Sequence, residues 1–275
     1  MKIVLFSSRY PGNVNRLNIS RLINAFPDYE FTYLLVDNRY SFFIGKLRNL
    51  VKEIILTLLL QNPGWYSSRR QGEKRIGRHI PREFDRHIRK IFVKSINGIE
   101  TENVLKDLKP DLIFQCGAGL LKANIFSLPP LGTLNIHHGI APEIRGISST
   151  FWSMYYGLNE FIGATVHFID KNLDTGIVIV QRRTELPEYF DYVEAVYQTA
   201  IQGAELLPVA IRIVQSSCTI VESEVKSFYF SSVDWSKYRE LSKNKYKAPG
   251  NISKLKYKYK RKRILMKPSG QAPIL

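Results

Sequence analysis

Four short apolar runs set the frame for this chain of 275 residues. KIVLF (Lys2 to Phe6), FTYLLV (Phe31 to Val36), DLIFQC (Asp111 to Cys116) and LGTLNIH (Leu131 to His137) are rich in β-branched and aromatic residues. Runs of this length that do not alternate with polar residues suit strands buried on both faces. Helical patterns stand between them, from Arg16 to Ala25 and from Ile99 to Leu108, the latter stopped by Pro110. Strand, helix, strand in this order predicts an α/β fold with a mainly parallel sheet and helices on both faces. The loop after the first strand, SSRYPGN, lacks G-x-G-x-x-G, so a dinucleotide site has no support.

Farther on, IGATVHFID (Ile162 to Asp170) and GIVIVQRRTEL (Gly176 to Leu186) read as two alternating strands joined by KNLDT. Ser148 to Gly157 has helix start and stop signals, and Tyr192 to Val214 reads as one long amphipathic helix. Cys218 to Glu222 is a short strand. The stretch from about Phe42 to Gly98 looks helical, interrupted by an exposed polar loop at QNPGWYSSRRQGEKR. Past Ser223 the composition turns aromatic and lysine-rich. The expected organisation is a catalytic domain over 1–223, with a helical insertion at about 42–98, and a basic Tyr/Lys-rich extension over 224–275.

The formal net charge of +16 is unevenly spread. Lys237 to Lys267 carries a net +12 and Arg69 to Lys94 a net +7, leaving the rest at −3. The extension favours anionic partners, and its interleaved lysines and tyrosines suit an anionic membrane surface ahead of nucleic acid. Two cysteines without C-x-x-C exclude a cysteine-rich zinc module and a disulfide scaffold, and fit a reducing compartment. The N-terminal apolar run is too short for a signal peptide, and IILTLLL (Ile54 to Leu60) is too short to span a bilayer. The expected location is cytoplasmic, with peripheral membrane contact through 237–267.

The chemistry concentrates in LNIHHGIAPEIRG, Leu134 to Gly146. Asn135 and His137 stand two apart at the end of a strand, so their side chains share a face, and ligands of open α/β sheets gather at such ends. Asp174 in KNLDT joins them if that loop folds over the strand. A carboxylate beside a histidine orients the ring and favours its protonated form. An amide can donate to a developing oxyanion. No serine or cysteine nucleophile stands beside them, so the trio suits direct attack of an amine or water on an acyl carbon. A metal site from His137, His138 and His167 is disfavoured, because neighbouring histidines on a strand face opposite ways. His138, on the other face, is expected to be structural, and His167 to bond within the hairpin. Arg145 either meets an anionic substrate or fixes its turn.

Several pieces together carry a resemblance: Asn135 and His137; Pro142, Arg145 and Gly146; Gly163, Thr165 and His167; Asp174 and Gly176; and Gln181. In this order and spacing they resemble the formyltransferases that use 10-formyltetrahydrofolate, over roughly Pro110 to Gln181. The resemblance implies a Rossmann-like formyltransferase fold, no metal, and Asn135, His137 and Asp174 as the catalytic trio. It also implies that the pterin binds between the turn holding Gly117, Gly119, Leu120 and Leu121 and the loop holding Asp170, Lys171, Asn172 and Leu173. Ser8, Arg9 and Arg145 are the candidates for an anionic amine substrate.

The acceptor follows by elimination within the resemblance. Methionyl-tRNA formyltransferases carry a C-terminal barrel domain, for which the residues after Ser223 are too few. The loop after the first strand lacks the glycine run that holds the phosphate of glycinamide ribonucleotide. Amino-sugar N-formyltransferases, which vary after the core, are therefore the favoured class, with a nucleotide-linked amino sugar as acceptor. Formyltetrahydrofolate hydrolases also resemble NIHH and IGATxH, but begin with a regulatory domain that does not precede KIVLF here.

Overall fold

A computed structural model describes residues 1–37, 64–216, 218–231 and 259–268, together with Leu47, Val51, Lys237 and Leu241. The apolar runs become β1 (Lys2–Ser8), β2 (Glu30–Val36), β4 (Leu112–Cys116) and β5 (Thr133–His137). The sheet order is β3-β2-β1-β4-β5-β7-β8-β10-β9-β6, where β3 is Arg89–Val93, β6 Ile144–Gly146, β7 Gly163–Phe168, β8 Val178–Arg183, β9 Cys218–Phe230 and β10 Tyr259–Pro268. From β3 to β5 every pairing is parallel. β7 then runs antiparallel to β5, and β8 antiparallel to β7. The expected α/β fold with a mainly parallel sheet and helices on both faces is what the chain adopts.

Strand periodicity explains why these runs are continuously apolar. In β1, Ile3 and Leu5 join a core with Ile19 and Leu22 of α1 (Asn13–Ala25) and with Leu207 and Ile211 of α7 (Leu206–Gln215). Val4 and Phe6 face the opposite way, toward Leu105 of α3 (Ile99–Leu108) and Ile125 of α4 (Ala123–Phe126). A strand covered on both faces has no polar positions to alternate with.

Four expectations are corrected. The polar stretch read as an exposed loop forms α2 (Gly64–Gly77). Glycines at both ends and at Gly72 depress its helix propensity, but tertiary contacts override that. Ile76 is buried against Leu17 and Ala200, and Arg75 pairs with Glu194 at 2.7 Å. Second, β3 occupies residues read as helical. It lies at the edge beside β2 with Arg89 exposed, as charged edge strands commonly do. Residues 42–63 of the insertion lie outside the described residues apart from Leu47 and Val51. Third, the long helix breaks into α6 (Tyr192–Ala204) and α7 at Glu205. Pro208 lacks the N–H that would bond Ala204, and its ring crowds that carbonyl.

Fourth, the strand expected at Cys218 to Glu222 continues to Phe230, so the change in composition at Ser223 falls inside β9. β10, from the basic stretch, pairs antiparallel with β9 along ten residues and meets β8 at Leu265↔Val178. β9 in turn pairs with β6 from Ile144↔Phe228 to Gly146↔Phe230. The remaining basic stretch lies outside the described residues, apart from Lys237 and Leu241. Among the described residues no helix is long and apolar enough to cross a membrane.

Candidate active site

β5 delivers Asn135 and His137 to one face, and the loop leaving β7 supplies the carboxylate. Because β7 is antiparallel to β5, this loop starts beside the amino end of β5, where Ile169 N donates to Thr133 O at 2.7 Å. It then turns along β5 until Asp174 reaches His137. The turn is tight. Asp170 accepts from the Asn172 amide at 3.0 Å and the Thr175 hydroxyl at 2.7 Å. A side chain at Gly176 would place its Cβ 1.8 Å from Phe168 O, so only glycine fits.

Asp174 is the hub. Its Oδ2 lies 3.4 Å from His137 Nδ1, and its Oδ1 lies 3.6 Å from His167 Nε2. The Gly146 amide donates to Oδ2 at 3.0 Å. Asn135 Nδ2 stands 3.3 Å from His167 Nε2, and His167 Nδ1 faces Phe168 O at 2.8 Å. His167 Nδ1–H donates to that carbonyl, and a second proton on Nε2 would face Asp174. Burial alone would raise the Asp174 pKa. The two histidines and the Gly146 N–H outweigh it and hold the carboxyl well below its usual range. Asp174 is therefore an ionised carboxylate in a largely water-free setting.

His137 is also buried, and burial pulls its imidazole below the ordinary value while Asp174 pulls the other way. Its Nε2 lies 2.9 Å from Ile144 O and 3.2 Å from Ser149 Oγ. Nε2–H thus donates to the Ile144 carbonyl, and a second proton on Nδ1 would face Asp174. Thr165 holds the following loop by accepting from Ala141 N at 3.0 Å and donating to Gly139 O at 2.8 Å. A Cβ at Gly139 would lie 2.7 Å from His137 Nε2, so this glycine clears space for the ring.

The trio predicted from sequence is brought together, and His167 joins it. Its signal was present, since it lies two residues past Thr165 in the G-x-T-x-H segment and opposite Asn135 in register. Ser149 and Ser227 were missed; nothing in their local sequence marks them.

Arg145 fixes its turn and does not stand open to a substrate. It is 3% exposed. Its Nε donates to Ser227 Oγ at 2.9 Å and its Nη1 to Leu173 O at 3.1 Å. Its guanidinium lies over the Tyr229 ring at 5.4 Å. Arg145 therefore ties β6, β9 and the Asp174 loop together. Arg9 pairs with Asp37 at 3.1 Å and stacks on Phe92 at 4.7 Å. It lines a separate cavity of about 220 Å³ with Tyr33 and Lys90. Ser8 ends β1 in register with Val36. Two of the three residues expected to gather an anionic substrate are thus engaged by the protein itself, Arg145 by Ser227 and the Leu173 carbonyl and Arg9 by Asp37.

The turn after β4 carries the other expected group. Gln115, paired in register with Asn135, donates to Gly119 O at 2.7 Å and accepts from Gly117 N at 3.1 Å. Asn97 braces the turn through Leu120 O and Lys122 N. Leu120 stands 74% exposed, while Leu121 is buried. An uncovered apolar side chain among braced backbone groups suits a flat heteroaromatic ring. Asp170, Lys171, Asn172 and Leu173 form the loop that leads to Asp174. Among the described residues no group of histidine, cysteine or acidic side chains could hold a metal ion.

His138 turns to the opposite side of β5, with Gly203 of α6 near its ring. Burial, aided by His137, pushes its imidazole down to about 4. In the unfolded chain a histidine titrates near 6.5, so between these values the unfolded state binds the proton that the folded state rejects. Stability present above about pH 6.5 is therefore lost as pH falls toward 4, by on the order of 2 kcal/mol. Denaturant melts at pH 7.5 and 4.5 check this. His138→Phe is expected to flatten the difference, and an unchanged difference would contradict it.

The sheet thus carries an amide, two imidazoles and a carboxylate together at the end of a central strand. The formyl transferase family model matches residues 53–211, more than half of the chain, and the chain belongs to that family. A methionyl-tRNA formyltransferase of Kosmotoga olearia is 39% identical over 94 residues, 34% of this chain and 30% of that protein. One of Clostridium beijerinckii is 25% identical over 237 residues, 82% of this chain and 76% of that protein. The matches to the first two relatives span only 30% and 36% of their lengths. A 4-N formyltransferase from Francisella tularensis shares the fold, with a TM-score of 0.54 and 20% identity over 87% of this chain and 78% of that one. A phosphoribosylglycinamide formyltransferase from Anaplasma phagocytophilum shares it with a TM-score of 0.52 and 16% identity, covering 78% and 86%.

Proposed function

We propose that the chain is an N-formyltransferase that moves a formyl group from 10-formyltetrahydrofolate to a primary amine, and that a nucleotide-linked amino sugar is the acceptor class. The observation that carries this is the Asp174 carboxylate held between His137 and His167, with the Asn135 amide beside it. The folate donor supplies an activated formyl carbon, and the chain's residues do the rest. Asn135 can donate its amide proton to the oxygen as charge develops there. His137 can donate from Nε2 once the formyl oxygen takes the place of the Ile144 carbonyl. As the amine bonds to the formyl carbon and the bond from that carbon to N10 of the folate breaks, Asp174 stabilises the imidazolium and helps pass the proton lost by the attacking nitrogen to the departing N10. No covalent enzyme intermediate is required.

The test is to follow tetrahydrofolate release from 10-formyltetrahydrofolate with and without a pool of nucleotide-linked amino sugars. Release that depends on the pool is the expected result. Release at the same rate without any amine would make the protein a hydrolase and overturn the proposal.

A further inference from the structure

A cavity of about 420 Å³ opens beside His137. His137 and His138 line one wall, Glu73 and Ile76 of α2 another, and Val193 and Val196 of α6 a third. Three features set what it accepts. Among the described residues that line it there is no lysine or arginine, and Glu73 is its one acid. The Glu73 carboxylate is fixed in place, since Oε2 accepts from Asn13 N at 2.9 Å while Asn13 Nδ2 donates to Glu73 O at 2.7 Å. His138 Nε2 is buried and has no hydrogen-bond partner. A buried polar atom left unpaired costs about 1–3 kcal/mol, a cost that a ligand able to pair with it would offset. The imidazole, held neutral at physiological pH, offers a hydrogen bond and not a charge.

We infer that this cavity reads the acceptor, and that His138 and Glu73 are its specificity-determining residues. The substrate class is a hydroxyl-bearing amine with no phosphate at the end that enters. Glu73 faces the amino group, His138 takes a hydroxyl, and the valine and isoleucine wall covers the C–H face of the ring. An acidic, lysine- and arginine-free wall repels phosphate near the amine. Any anionic part of a larger acceptor must lie outside this cavity. The inference rests on the formyl-transfer reading and deepens it.

The probes are glucosamine, N-acetylglucosamine and glucosamine 6-phosphate, with dissociation constants read by ligand-observed NMR on the full chain. Glucosamine is expected to bind, and each of the other two to bind roughly ten-fold more weakly. His138→Phe and Glu73→Gln should each weaken glucosamine roughly ten-fold. His138→Gln, which keeps a hydrogen-bonding group, should restore much of the loss and guards against a folding defect. Tighter binding of the phosphorylated sugar, unchanged affinity in both variants, or no binding of glucosamine would overturn the assignment. Binding of 10-formyltetrahydrofolate, followed by fluorescence on the same samples, separates the two readings. If the donor binds and glucosamine does not, only the acceptor assignment fails. If the donor fails to bind, the formyl-transfer reading fails.

Discussion

Asp174→Asn is expected to lower kcat by about a thousand-fold, roughly 4 kcal/mol of transition-state stabilisation, with little change in folate affinity. The asparagine keeps an oxygen for the Gly146 N–H, so the loop stays in place. What disappears is the negative charge between His137 and His167. Burial then acts on His137 with only the Ile144 carbonyl to oppose it, and its imidazolium becomes harder to form at the moment the reaction needs it. His137→Ala should cost a similar factor, and the double variant little more, because the two act as one unit. Steady-state kinetics with a fluorescence titration of the donor check this. Near-normal turnover in either single variant would remove the proposed roles.

The largest structural effect is expected at Gly146. Its φ of +93° is one that residues with a side chain rarely adopt. A Cβ there would lie 2.0 Å from Phe230 O, a backbone atom of the strand paired with it. The same residue's N–H holds Asp174. Gly146→Ala should therefore cost about 3 kcal/mol or more, a fall in Tm of roughly 10 °C for a chain of this size. It should also remove activity in the fraction that stays folded. A thermal melt and a specific-activity measurement decide it. An alanine variant with wild-type Tm would show that β6 does not need the approach to β9.

How much of this was legible in the residues follows from how local each constraint is. The buried strands are continuous apolar runs, so KIVLF and FTYLLV identified themselves. Asn135 and His137 are two apart on one strand, and Asp174 sits in a short glycine-ended turn, so their pattern and spacing were visible. What escaped depends on distant partners. α2 is polar and glycine-containing, and it is held by Ile76 and by Arg75 on Glu194, across more than a hundred residues. Arg145 stayed open between an anion ligand and a turn brace because its buried partners, Ser227 and the Leu173 carbonyl, lie far along the chain. β9 continues past Ser223 because β6 and β10 pair with it, a tertiary fact that a change in composition cannot report.

On the proposed mechanism, Asn135, His137 and Asp174 pass a formyl group directly from the folate to an amine. The most direct test supplies 10-formyltetrahydrofolate with a ¹³C-labelled formyl group, together with the amino-sugar pool, and follows the label by NMR and mass spectrometry. The predicted result is a ¹³C-formamide on an acceptor with the wild-type protein and almost none with Asp174→Asn. Label released as free formate at a rate indifferent to the amine, or a formamide made equally well by the variant, would contradict it.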